Sequence, residues 1–258
     1  MKTITILQRP GFDEWRNQAR LCLAERRKPH DVLWQDSFAE ADLFAQDDAP
    51  CAMTAVKTVP KDFIDRARYA ACHAAPDRFT LLYRILWRLT HGQKHLLQLK
   101  TDADILKMNG YVKAVRRDAY KITAFLRFRE TADGRFVAWY EPEHFSLDLS
   151  LPFFQTRFKN MQWSILTPYL AAHWDGETLN RQDNPDPTQR PQDDNIEKYW
   201  LTYYGAIFNP ARPKKAAMLN QMPKKYWKNM PETVLVREML HTSEARARQM
   251  IDAGKGTS

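Results

Sequence analysis

The chain has 258 residues, 44% of them hydrophobic, with 39 Lys and Arg against 31 Asp and Glu and a formal net charge of +8. That length suits one large domain or two small ones, and that apolar content excludes an intrinsically disordered chain. Glycine is scarce, at eight residues, and neither the P-loop nor the dinucleotide fingerprint occurs, which argues against nucleoside-triphosphate and Rossmann chemistry.

Cys22, Cys51 and Cys72 are far apart and odd in number. They form neither a disulfide framework nor a C-x-x-C metal or cluster site, which fits a reducing cytoplasm. Met1 to Pro10 lacks the shape of a signal peptide, and no apolar run approaches a membrane span. The expectation is a cytoplasmic protein with no membrane partner.

In chain order, Lys2 to Leu7 alternates and is β-branched, which predicts a strand. Phe12 to Arg26 predicts a helix through Trp15, Ala19, Leu21, Leu23 and Ala24, with Asp13 and Glu14 in its first turn. Val32 to Trp34 reads as a short strand. Residues 31–50 then hold six acids and no Lys or Arg, an acidic surface loop. Pro60 to Ala75 reads as a helix stopped by Pro76. Asp77 to Leu89 reads as another, with Phe79, Leu82, Ile85, Leu86 and Leu89 on its apolar face and Arg84 and Arg88 one turn apart on another.

Thr101 to Leu106 opens a further helical region, and Tyr111 to Tyr120 is amphipathic. Val112, Val115 and Ala119 face inward, while Lys113, Arg116, Arg117 and Tyr120 make one stripe at i, i+3, i+4 and i+7. Ile122 to Arg129 alternates like a strand, with Arg127 and Arg129 on one face. Asp133-Gly134 signals a hairpin returning through Phe136 to Tyr140. Pro152 to Lys159 suggests a helix, and Gln162 to Thr167 with Leu170 to Trp174 a strand pair. Residues 180–195 are polar and proline-rich, an exposed loop. Helices are expected over Asn195 to Phe208, up to Gln221 and from Pro231. The sum is an α+β fold: a small, mostly antiparallel sheet packed with several helices, and a helical C-terminal third. The expected organisation is one domain over 1–258, with sub-regions 1–75, 76–179 and 196–258.

The basic excess points to a polyanion. From Asn209 to Met230 the chain carries Arg212, Lys214, Lys215, Lys224, Lys225 and Lys228 and no acid. Tyr203, Tyr204, Tyr226 and Trp227 are interleaved with them, and rings that stack on bases beside cations that meet phosphates make a nucleic-acid surface. Lys113, Arg116, Arg117, Lys121, Arg127 and Arg129 would extend that groove. For any single aromatic, core packing is the competing explanation.

Chemistry has two candidate positions. Glu141, Glu143 and His144 follow one central strand, and His173 with Asp175 ends another. If those ends meet, the five side chains could serve acid–base catalysis or hold a divalent metal. The competing explanation is that strand ends are polar because they meet solvent. His91 and His95 are one helical turn apart but lack the Glu and third ligand of a helical zinc motif. No cofactor is evident in the chain.

Several segments carry a resemblance. Val115 to Lys121, Phe128-Arg129-Glu130, Trp139 to His144, Trp163 to Pro168 and Ala172 to Gly176 occur in order. Tyr203-Tyr204, Ile207 to Arg212 and Met222 to Asn229 follow. The series resembles a bacterial family labelled only as a DNA repair protein, a domain of unknown function. The resemblance is strong from Lys113 to Pro231 and visible in Phe12 to Arg20 and Asp77 to Leu89. It implies association with a radical SAM protein of DNA repair or modification. Some members are fused to a uracil-DNA-glycosylase-like domain, and this chain looks like the stand-alone form. It has neither glycosylase motifs nor a three-cysteine cluster motif, so an iron–sulfur cluster would belong to the partner. The resemblance supplies no catalytic residues.

Three readings follow. The first is a DNA-binding accessory protein that holds single-stranded or damaged DNA and docks the radical SAM enzyme. The second is a DNA-processing enzyme, a metal-assisted nuclease or base-processing activity, at Glu141, His144 and His173. The third is a protein-interaction module whose basic face meets an acidic partner without DNA.

Overall fold

The structure, a computed structural model, describes residues 1–7, 9–36, 58–131, 134–183, 185 and 224–230. The chain divides into two compact units. One comprises Met1–Tyr120 with Pro142–Ser150, the other Lys121–Glu141 with Leu151–Ser258.

The first unit opens with β1 (Lys2–Ile6), α1 (Phe12–Ala24) and β2 (Val32–Asp36). The two strands pair in parallel, from Lys2 opposite Val32 to Ile6 opposite Asp36. Parallel neighbours cannot be joined by a tight hairpin, and α1 supplies the crossover. Ile4, Ile6, Val32 and Trp34 are buried on one face of the pair, while Thr3, Thr5 and Leu33 point away, as a period of two requires. Phe12, Trp15, Ala19 and Cys22 of α1 lie at helical spacing and close over that face.

Three more helices complete this core. α2 (Lys61–Ala71) buries Phe63, Ala67, Ala70 and Ala71, and its small side chains allow close approach. α3 (Arg78–Thr90) buries Phe79, Leu81, Leu82, Tyr83, Ile85, Leu86 and Leu89. α4 (Ala103–Phe125) contributes Ile105, Met108 and Val112. Asp102 caps α4 by accepting the backbone N–H groups of Asp104 and Ile105 at 3.0 and 3.2 Å. Arg88 donates to Asp102 and Asp104, and Arg84 to Asp104, which pins α3 to the start of α4.

Arg78 opens α3 and is 1% exposed. Its guanidinium donates to the Asp36 carboxylate at 2.5 and 3.0 Å and to the Ala71 carbonyl at 2.8 Å, and it lies over the Phe79 ring at 4.2 Å. A buried cation is tolerable only with such partners.

The second unit contains a five-stranded sheet in the order β3 (Arg129–Glu130), β4 (Phe136–Trp139), β5 (Trp163–Leu166), β6 (Leu170–Trp174), β7 (Leu179–Asp183). Within it β4 and β5 run parallel, and the other neighbours are antiparallel. The fold is α+β, as expected. Gly134 and Gly176, both at positive φ, serve the β3–β4 and β6–β7 turns. α5 (Leu147–Arg157) lies between β4 and β5 in sequence. In this unit Phe128, Phe154, Phe158 and Trp163 pack ring to ring, with centroids 5.4–6.2 Å apart.

Three expectations are corrected. Ala103 to Leu106 and Tyr111 to Tyr120 belong to one helix, and that helix continues through Ile122 to Phe125 instead of giving way to a strand. The Leu126 N–H still donates to the Ile122 carbonyl at 3.0 Å. Residues at 112, 115, 122 and 126 are buried, a helical repeat that overrides the short alternation of Ile122, Ala124, Leu126 and Phe128. The strand is only Arg129–Glu130, so Arg127 and Arg129 do not share a strand face. Residues 180–183 pair as part of β7 instead of opening a loop. The acidic stretch beyond Asp36, most of the 180–195 segment and the expected C-terminal helices lie outside the described residues, except for a 3-10 turn over Lys224–Asn229.

Removing the counterion should show how much the first unit depends on Arg78. Asp36→Ala is expected to destabilise the protein by about 3 kcal/mol or more, because it strands a buried guanidinium. Calorimetric and urea unfolding measure this.

Candidate nucleic-acid interface

The outer face of α4 carries charge of one sign. In the first unit the exposed residues of this helix are Ala103, Leu106, Lys107, Asn109, Gly110, Lys113, Arg116, Arg117 and Tyr120: four cations, no acid. The inner face takes Ile105, Met108, Val112, Val115 and Asp118. Lys113, Arg116, Arg117 and Tyr120 therefore form the expected stripe, about 10 Å long at 1.5 Å per residue. The Tyr120 ring is 72% exposed. The Arg116 guanidinium lies 4.6 Å from the Tyr69 ring centre, and the Lys107 ammonium donates to Asp77. Among the described residues, Lys113 and Arg117 have no carboxylate within ion-pair distance.

The second unit holds the remaining expected contacts. The Lys121 ammonium lies 5.4 Å from the Tyr226 ring centre. Arg127 donates to the Ala124 and Leu126 carbonyls, at the C-terminal end of α4 where a cation is favourable. Arg129 is half-buried on β3. Tyr226 and Trp227 are buried, at 4% and 6% exposure, which corrects their expected role as stacking platforms. Tyr226 stacks instead on Phe125 and Tyr140, at 5.6 and 5.3 Å. Lys224 is exposed. Tyr203, Tyr204, Arg212, Lys214 and Lys215, and the side chains of Lys225 and Lys228, lie outside the described residues.

The five expected catalytic side chains are divided between the units, Glu143 and His144 in the first, Glu141, His173 and Asp175 in the second. Glu141 accepts from the Trp139 indole at 3.0 Å. Asp175 accepts the backbone N–H groups of Glu177 and Thr178 at 2.8 and 2.7 Å, closing its own hairpin, and these bonds hold its pKa down. His173 stands opposite Ser164 in the β5–β6 register, and its Nδ1 lies 2.8 Å from the Ser164 Oγ. Among the described residues, no group of three or more His, Cys, Asp or Glu is placed to hold a metal ion.

A polar cluster in the first unit escaped sequence reading. The His73 ring stacks on Tyr111 at 3.8 Å and lies 4.3 Å from the His144 ring. The Tyr111 hydroxyl donates to Asp77 at 2.7 Å. Burial raises the Asp77 carboxyl, but the hydrogen bonds from Lys107 and Tyr111 outweigh it and leave its pKa lowered. Burial, then the neighbouring His144 and Arg78, push the His73 pKa down to about 4. His73 and His144 both accept backbone N–H groups at Nδ1, from Ala75 at 3.1 Å and Ala74 at 3.3 Å. In a neutral ring the proton then sits on Nε2. Asp118, 2% exposed, accepts the N–H groups of Glu143 and His144 at 3.1 and 3.0 Å and the Ser146 hydroxyl at 2.7 Å. The ring stack and the carboxylate clamp join residues far apart in sequence. The one local hint was an acid at 118 interrupting a basic helix.

The architecture is thus that of an α+β protein with a basic helical face ending in an exposed tyrosine, and with no helix among the described residues long and apolar enough to cross a membrane. Residues 76–232 match the family model described as a domain of unknown function, DUF4130, and since that is more than half of the chain, the protein belongs to this family. Comparison with curated proteins and with solved structures gives no match.

Two outcomes are expected. The folded state holds the His73 proton less tightly than the unfolded chain, whose ordinary value is 6.5. Its contribution to stability is therefore complete above pH 6.5 and is lost as pH falls toward 4. Urea midpoints across this range should fall, and His73→Phe, which keeps a ring on Tyr111, should flatten the decline. Asp118→Ala leaves three donors without their acceptor and should cost about 3 kcal/mol in the same assay.

Proposed function

We propose that this protein binds nucleic acid and serves DNA repair or modification as an accessory to a radical SAM enzyme, holding single-stranded or damaged DNA on the outer face of α4. The observation that carries the binding role is the acid-free exposed face with Lys113, Arg116, Arg117 and Tyr120 in one stripe. Cations on a rigid helix meet phosphates without the cost of ordering a loop, and an exposed ring offers a base a stacking surface. The acid-free segment from Asn209 to Met230 adds six cations to the same chain. The repair context and the radical SAM partner rest on the resemblance of the ordered motifs. A processing activity at Glu141, His144 and His173 has weaker support, since the described geometry gives no three-ligand cluster.

Anisotropy titrations of labelled single- and double-stranded DNA across a salt series test this reading. The wild type should bind with a steep salt dependence. The triple variant K113E/R116E/R117E should bind at least tenfold more weakly. Its salt slope for single strands should be shallower by about 2, roughly 0.7 for each phosphate it no longer neutralises. K224E/K225E/K228E should weaken binding in the same direction. Unchanged affinity in the α4 variant would remove the proposed surface. Strand cleavage or an altered base on a denaturing gel would make the protein an enzyme, and binding to an acidic protein without DNA affinity would make it an interaction module. Co-elution of the two purified proteins on size exclusion tests docking to the radical SAM enzyme.

A further inference from the structure

Gly110 is the unexplained residue of α4. It lies inside a 23-residue helix, seven residues after its start, and it is exposed. A helix-interior glycine lowers the folding equilibrium constant about fivefold relative to alanine, because it surrenders more backbone freedom. Glycine is usually retained in such a place for one of three reasons: a positive φ, a neighbour that leaves no room for a Cβ, or a break in the helix. None applies. Gly110 is not among the positive-φ glycines, a Cβ built on it meets no described residue within 4 Å, and the helix runs on to Phe125.

No described residue of the chain therefore makes use of the missing side chain. What surrounds the gap is chemically defined. Leu106, 56% exposed, precedes Gly110 by one turn, Lys113 follows by three residues and Arg117 by seven, all on the same side of the helix. Tyr120 closes the stripe about 15 Å from Gly110 along the axis. The gap thus exposes bare helix backbone between an apolar side chain and two cations spaced about 6 Å apart along the axis. An acid-free, cationic surround selects an anionic occupant. The apolar edge at Leu106 suits the non-charged face of a sugar, and the tyrosine suits an unpaired base.

We propose that Gly110 is the point at which the sugar–phosphate backbone of a single-stranded nucleic acid comes into contact with α4, with Lys113 and Arg117 meeting phosphates and Tyr120 stacking on a base. This rests on the binding role proposed above and specifies its ligand as a single strand. A paired base has no face to give Tyr120, whereas a flexible single strand can bring its backbone to the helix and its base to the ring together.

The test uses the full-length protein with Gly110→Ala and Gly110→Leu, and a labelled oligothymidylate beside a duplex of equal length. Circular dichroism and urea unfolding come first. Gly110→Ala should raise the folding equilibrium constant about fivefold, and Gly110→Leu should fold at least as well as the wild type. Despite that gain, single-strand affinity should fall severalfold in Gly110→Ala and tenfold or more in Gly110→Leu. Tyr120→Ala should weaken oligothymidylate more than duplex. A folded Gly110→Leu that binds oligothymidylate like the wild type overturns the contact at Gly110, while the wild type's own binding leaves the broader reading in place. Equal losses for single strand and duplex overturn the single-strand assignment. If the wild type binds neither, or K113E/R116E/R117E binds as well as the wild type, the broader reading fails and this inference with it.

Discussion

Asp118 sits in α4 with its carboxylate removed from solvent, where an ionised group survives only if its oxygens are fully engaged. The N–H groups of Glu143 and His144 and the hydroxyl of Ser146 engage them. Two features of the first unit follow from this one clamp. It fixes the rotation of α4, because a residue bound inward at 118 sends Lys113, Arg116 and Arg117 outward. It also anchors the segment that carries His144, whose ring lies against His73. The apolar inner face of α4 and this buried carboxylate thus set the basic face together, and the carboxylate also holds the backbone of His144.

The cations of the first unit fall into two groups with different physics. Arg78, Arg84 and Arg88 are bound to Asp36, Asp102 and Asp104 by short, largely bidentate contacts, and they tie β2, α3 and α4 together. Lys113 and Arg117 contribute nothing comparable to the fold. Placed on one side of one helix, they repel each other, and salt or nearby negative charge relieves that repulsion. Among the described residues the structural arginines of the first unit are neutralised, whereas the exposed face of α4 carries cations and no acid.

Much of this was legible in the sequence, and the exceptions have identifiable causes. The Lys113 to Tyr120 stripe, the apolar face of α3, the β5–β6 pair and the hairpin at Gly134 follow from local period and turn chemistry, which burial then reinforces. Ile122 to Phe128 misled because a β-branched start and four alternate apolar residues imitate a strand, whereas the buried positions 112, 115 and 122 extend a helix begun far upstream. Tyr226 and Trp227 sit among lysines and read as surface rings, yet aromatic surface is worth more against Phe125 and Tyr140 than against water. Asp118, His73 and Tyr111 could not have been grouped by spacing at all, since their partners come from separate elements.

The imidazole pair shows how such a cluster differs from a metal centre. A histidine that binds a metal through one nitrogen usually donates its other N–H to an acceptor. Here each Nδ1 accepts from backbone, so in the neutral ring Nε2 carries the proton and offers no lone pair. Burial and the positive neighbour Arg78 keep His73 in that neutral form down to about pH 4. The His73 ring thus adds no positive charge near neutrality, and its response to acid is a loss of stability. The outer face of α4 instead carries lysine and arginine. The response to acid and the basic face are thus separated in this unit: one belongs to the packed rings beside Asp77, the other to the cations on the outer side of the helix that Asp118 helps to set.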